Sequence, residues 1–180
     1  MMKKRCLALL ALLVCIAILS IGCTKKEEVT YQGKPLSAWI KMLEEPDIAA
    51  KSSAIGAIIE LGPEAKEAAP VLIETIRQVR NGDKRMLVAC NDALLGMRKE
   101  VVPYLIDLLK DDTWEMRRGS AWMLGKLGPE AKDAVPALTE ALNDPNEVVR
   151  LKAAEALKKI AGEGAETKKP DSAESVPQEN

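Results

Sequence analysis

The chain has 180 residues, of which 47% are apolar, 29% charged and 3% aromatic, so it can fold as one domain whose core is aliphatic and small. It contains no His and no Phe, which removes Ser-His, Cys-His and His-metal sites together with the commonest neutral-pH acid/base. A formal charge of -1 gives no long-range attraction for the phosphates of nucleic acid, so no nucleic-acid partner is expected.

Residues 1-22 form the first predicted element. Lys3, Lys4 and Arg5 precede an apolar run from Cys6 to Gly22 broken only by Ser20, the layout of a secretory signal. A spanning helix competes with this reading, but the run lies at the short limit for crossing a bilayer and ends in small residues, without a basic stop-transfer flank. The stretch Leu19-Ser20-Ile21-Gly22-Cys23 resembles the lipobox of bacterial lipoproteins, departing from it at Ser20. The resemblance implies cleavage after Gly22 and lipidation of Cys23. Several acyl chains hold a protein to a membrane far more firmly than one. Thr24, in place of Asp, implies the outer membrane where the cell has one. Loss of Lys3, Lys4 and Arg5 from 26 bases leaves 23 against 27 acids, a net charge of -4. Cys6 and Cys15 leave with the signal and Cys23 is lipidated, so Cys90 remains as the one thiol and no internal disulfide can form.

Residues 23-34 read as the lipidated Cys and a tether. A period of 33 then organises residues 35-161: Pro70, Pro103 and Pro136 recur at that step, as do Leu72, Leu105 and Leu138, and Lys51, Lys84, Arg117 and Arg150. Leu-Gly-Pro-Glu-Ala-Lys at 61-66 returns at 127-132. Such periods signal stacked repeats. Within each unit the apolar spacing is helical, as in Ile55, Ile58 and Leu61 or Ala121, Leu124 and Leu127. Gly62 and Gly128 sit where a left-handed helix cap is wanted, with Pro63 and Pro129 blocking continuation. Pro70, Pro103 and Pro136 suit the first turn of the next helix. The prediction is an all-α fold, an α-solenoid of four helical hairpins at about 36-61, 68-95, 101-127 and 134-161. Helices this short must bury their stripes against neighbours. The segment 162-180 mixes Gly, Glu, Lys, Pro and Ser without periodicity and reads as a disordered tail.

Ankyrin repeats would need a Thr-Pro-Leu-His that a chain without His cannot supply, and tetratricopeptide repeats pack large aromatics that are scarce here. Ala134-Val135-Pro136-Ala137-Leu138, then Asn-Asp-Pro-Asn-Glu-Val-Val-Arg at 143-150, then Ala-Ala-Glu-Ala-Leu at 153-157 resemble HEAT repeats of the short kind named after phycobilisome lyases. Residues 101-128 follow the pattern well and 36-95 more loosely. The resemblance implies a stacked ladder of turn acid and base, Asp111 with Arg117 and Asp144 with Arg150, continued more weakly by Glu45 with Lys51 and Gln78 with Lys84. It also implies that the second helices line a concave face where a protein or peptide docks.

On that face Arg85, Ala89 and Asp92 correspond to Arg118, Trp122 and Gly125. Trp122 with Arg118 has the composition of an interaction hot spot, or else the ring lies flat beneath Arg118 as a cation-π pair. Trp114, at the turn before the same helix, points to the third unit as the contact region. Asn91 falls where Ile58, Leu124 and Leu157 stand, so either that helix shifts register or a polar group needs a partner in the core. Cys90, aligned with Ala57, reads as a half-buried small residue. Arg77, Arg80, Lys84 and Arg85 read as a solvated helix end, interrupted as a nucleic-acid strip by Asp83 and Asp92. No phosphate loop, nucleophile elbow or metal-ligand cluster is visible, so no cofactor is expected.

The functional expectation is a non-enzymatic, monomeric, membrane-anchored adaptor of the bacterial envelope that binds a protein on its concave face. A phycobilin-lyase-like enzyme or chromophore-handling factor is one alternative, although a cytoplasmic pigment factor should lack a secretion signal. A passive structural spacer is the other.

Overall fold

The computed structural model describes residues 28-79 and 82-162. The signal segment 1-22, Cys23, Arg80 and nearly all of the proposed tail lie outside the described residues. Among the described residues, eight α-helices pair into four hairpins: α1 (Leu36–Glu44) with α2 (Ile48–Leu61), α3 (Ala69–Val79) with α4 (Lys84–Gly96), α5 (Val102–Leu108) with α6 (Trp114–Leu127), and α7 (Val135–Ala141) with α8 (Glu147–Ile160). Each stacks on the next, and the core is mostly Ala, Leu, Ile, Val and Met, with Trp39 and Cys90 the exceptions among the described residues. Leu72, Leu105 and Leu138 are all fully buried, as equivalent positions of one repeat should be. The fold is an all-α solenoid.

Local chemistry sets the helix ends. Asp47, Asp83 and Asn146 cap α2, α4 and α8 by accepting backbone N–H groups of the first turn. Pro70, Pro103 and Pro136 each occupy the second residue of a helix, where no N–H is needed. Gly62 and Gly128 do end α2 and α6, but with φ 57, ψ -127 and φ 56, ψ -132 they lie outside the expected left-handed helical region. That conformation is open to glycine almost alone. It turns the chain into the 3-10 turns Gly62–Ala68 and Gly128–Ala134 that lead to the next unit.

Two features depart from the sequence-based expectation. The segment read as a tether folds from its middle onward: β1 (Thr30–Tyr31) and β2 (Lys34–Pro35) form an antiparallel ribbon around Gln32 and Gly33, both with positive φ. Leu36 N–H donates to Val29 O at 2.8 Å, and Trp39 Nε1 donates to Tyr31 O at 3.3 Å. Lys34 Nζ stands 4.6 Å from the centroid of the Trp39 ring, which is buried. The ribbon covers the first hairpin.

The second departure is a phase slip in the second unit. Helix α3 has 11 residues where α5 and α7 have 7, and α4 begins three residues later than the 33-residue step requires. Its cap Asp83 and its positive-φ terminus Arg98 match Asp47 and Gly62 at a spacing of 36. The following 3-10 turn, Arg98–Val101, has 4 residues instead of 7 and restores the register. Of the two outcomes posed by Asn91, the shift is the one observed: Asn91 is half-buried, level with Ile55 and Ala121. Cys90 consequently corresponds to Ala54, Ser120 and Ala153 and is fully buried, more deeply than its alignment with Ala57 suggested. Burial pushes its thiol up to about 11, which keeps it unreactive.

Candidate functional site

The ladder organises the outer edge of the stack, with partners different from those the spacing implied. Arg117 Nε and Nη2 donate to both carboxylate oxygens of Asp144 in the next unit, at 2.7 and 3.1 Å. Its Nη1 donates to the backbone carbonyls of Asp111 and Asp112 in its own turn, at 2.8 and 3.1 Å. One fork therefore binds two consecutive turns, a geometry a Lys cannot reproduce. Arg150 repeats the inner half, donating to Asp144 O at 2.7 Å and Pro145 O at 3.2 Å. Arg117 thus meets the carbonyl of its own acid and the carboxylate of the following one, and Arg150 makes the first of these contacts.

In the second unit the slip moves Lys84 out of the ladder and puts Leu87 level with Arg117. Arg77, on the added turn of α3, replaces it and holds Asp111 through two bonds of 3.3 and 2.7 Å. These bonds keep the Asp111 carboxyl down at about 2. Arg77 is therefore a tie between units and only partly a solvated helix end. Asp144 is lowered too, by its hydrogen bond from Arg117. The ladder is structural.

The face of the second helices is where unpaired apolar surface gathers. Among the described residues, seven of nine exposed large apolar side chains stand on α2, α4, α6 or α8: Ile48, Ile59, Val88, Trp114, Trp122, Val148 and Leu151. The candidate residues separate into three places. Arg118 Cζ lies 5.8 Å from the Trp114 ring centroid, whereas Trp122 is approached by Lys126 Nζ at 5.6 Å. Both rings remain partly exposed, 39% and 36%. The expected Trp122–Arg118 pair is thus replaced by Trp114–Arg118, because a helical side chain leans toward the N-terminus and Trp114 sits one turn before Arg118. Arg85 borders a separate shallow groove of about 440 Å³ between α2 and α4, together with Ile48, Ile59 and Ala89. Gly125, placed on the open face by the sequence, is buried instead: a Cβ there would lie 3.0 Å from Ala156 Cα, so α6 and α8 meet backbone to backbone.

The slip makes the opposite side of α6 different. Helices α4 and α6 touch at few points, whereas α6 and α8 pack along their length. Between α4 and α6 lies a cavity of about 260 Å³. Ile76, Leu87, Leu108, Met116 and Met123 supply its apolar lining. Asn91, Glu115 and Arg118 supply polar groups, and Gly119 leaves the space beside α6 open. An apolar pocket with a few convergent polar groups is the ordinary form of a recognition site. Sequence reasoning selected Arg118 and the third unit but missed Leu87, Met116, Gly119 and Met123; the displaced Asp83 cap was the available signal.

Among the described residues no group of three or more Cys, Asp or Glu side chains is arranged to hold a metal ion, and no helix is long and apolar enough to cross a membrane.

The HEAT-repeat family model matches residues 86–158 and 102–173. The matched span, 86–173, is just under half of the chain and takes in helices α4 to α8. Among solved structures, the CpcE–CpcF complex of phycocyanin lyase from Nostoc sp. PCC7120 is similar at 20% identity, with a TM-score of 0.45, over 71% of this chain and 78% of that one. An engineered protein is similar at 18% identity, with a TM-score of 0.38, over 70% of this chain and 62% of that one. Comparison with curated proteins finds no matching sequence. The stacked hairpins form a helical-repeat scaffold similar to HEAT repeats.

Proposed function

We propose that this HEAT-repeat chain is a lipoprotein adaptor of the bacterial envelope: residues 1-22 direct export, Cys23 carries the lipid, and the second-helix face is the concave side that grips a protein or peptide. The observation that carries the reading is the cavity between α4 and α6, bordered by Arg118 and lying on the same helix as the half-exposed Trp114 and Trp122. Its volume suits one aliphatic side chain, and Arg118 offers a guanidinium to a neighbouring carboxylate. An apolar anchor beside an acid is the recognition feature this chemistry selects. The chain acts by binding, without a reaction of its own.

Two experiments test it. Labelled palmitate should enter the wild-type chain and not Cys23→Ser; equal labelling of both would refute the anchor. A photo-crosslinking amino acid at position 122 should capture a defined envelope protein in cells. Gly119→Leu, which fills the cavity mouth from a position with open space around it, should abolish capture while the chain stays folded. Unchanged capture in Gly119→Leu and Arg118→Glu would remove the cavity from the binding site.

A further inference from the structure

The last unit ends on surface that every earlier unit covers. Val135 is 37% exposed, yet its equivalents Leu36, Ala69 and Val102 are 2%, 0% and 3% exposed. Leu142 is 37% exposed, while Leu43, Ile76 and Leu109 are 1%, 6% and 6% exposed. The ladder is likewise unfinished: Arg150 holds its own turn, but among the described residues its Nε and Nη2 lack the carboxylate that Asp144 provides to Arg117. The other end differs, since the β-ribbon covers the first hairpin there. Among the described residues, the array is closed at its N-terminal end and open at its C-terminal end.

The open face of α8 carries Glu147, Leu151, Ala154 and Lys158, spaced four, three and four residues apart and so aligned in one row. Leu151 is 56% exposed, and Glu147 and Lys158 are exposed. The row is acidic at the start, apolar in the middle and basic at the end. Laid antiparallel against itself, it pairs acid with base at both ends and places Leu151 over Ala154 twice. We infer that the open end is a homodimer face, on which a second copy of this chain packs its α8 antiparallel about a twofold axis, with Val135 and Leu142 at the flank of the contact. The monomer expected from sequence gives way to an isologous pair. The sequence of 163-180 carries Ala165, Ala173 and Val176 among mostly polar and charged residues.

The test is sedimentation equilibrium of the full chain solubilised in detergent. Wild type should be a dimer. Glu147→Lys and Lys158→Glu should each weaken association by about tenfold or more, because each brings like charges together twice. The double variant Glu147→Lys/Lys158→Glu should restore it, since the pairs reform with exchanged signs. Leu151→Asp should give a monomer with an unchanged circular dichroism spectrum. A monomeric wild type at all concentrations would overturn the inference, as would failure of the double variant to recover. Growth of mass beyond the dimer would overturn it too, by showing head-to-tail stacking of Arg150 on Glu45 of the next copy.

Discussion

Two glycines of α6 separate the loose side of that helix from its tight side, and replacing each by Ala tests the architecture directly. In a helix interior Ala is favoured over Gly by about 1 kcal/mol, because it loses less backbone freedom on folding. At Gly119 a new Cβ meets nothing within 4 Å, so Gly119→Ala should realise most of that gain. At Gly125 the new Cβ lies 3.0 Å from Ala156 Cα and 3.2 Å from Ala156 Cβ. Backbone cannot rotate away as a side chain can, so α8 must move outward and lose contact along its length. Overpacking of this kind costs about 1–3 kcal/mol, which outweighs the propensity gain. The net expectation is a loss of about 1 kcal/mol for Gly125→Ala against a gain of about 0.5–1 kcal/mol for Gly119→Ala. Urea unfolding followed by circular dichroism, with both variants in the same buffer, reads the difference as opposite shifts of the midpoint. If both variants stabilise equally, α6 and α8 do not approach as described and the asymmetry about α6 is wrong.

Three other outcomes follow from the ladder and the buried thiol. Arg117→Ala should cost about 2–4 kcal/mol, because it leaves the nearly buried Asp144 carboxylate without its bidentate partner; Arg117→Lys should recover only part of this in the same unfolding assay. Asp111 is depressed in the folded state to about 2, so its contribution is complete above the unfolded value near 3.8 and disappears as the pH falls through the folded value. Stability should therefore drop by about 1–2 kcal/mol between pH 4 and pH 2 through this group, and Asp111→Asn should flatten that part of the profile. Cys90 should resist alkylation at pH 8 in folded protein and react only after denaturation, as quantitative mass spectrometry of the modified thiol would reveal.

The four hairpins were legible because their signals are local: a helical stripe, a proline start and, in the first and third units, a glycine-proline stop. Their boundaries agree with the sequence-based ranges to within about a residue or two. The slip of α4 was hidden because prolines mark where units begin, and three residues added before α4 are offset by three missing after it. Position-by-position alignment then assigned Lys84 to the ladder and Cys90 to the wrong register. The cavity follows from that offset between neighbouring helices, so no single residue announces it. The ladder's true partners were missed for a related reason. A spacing of six residues suggests a pair within one turn, whereas the reach of Arg117 to Asp144 depends on how far apart units stack. The β-ribbon was unreadable as strand, since two residues on each side carry no alternation; only the Gln32-Gly33 pair hinted at a turn.

The ribbon bears on how the proposed lipoprotein would stand at a bilayer. Because Ser37 N–H donates to the Glu28 side chain and so ties Glu28 to α1, at most five residues separate the proposed lipid on Cys23 from a position fixed on the array. At about 3.5 Å per residue, five residues reach less than 20 Å, shorter than the diameter of a small domain. An array held so closely would graze the headgroups and sweep little volume. Whatever it captures would have to come to within a few nanometres of the lipid surface, which favours other membrane-bound molecules over freely diffusing ones.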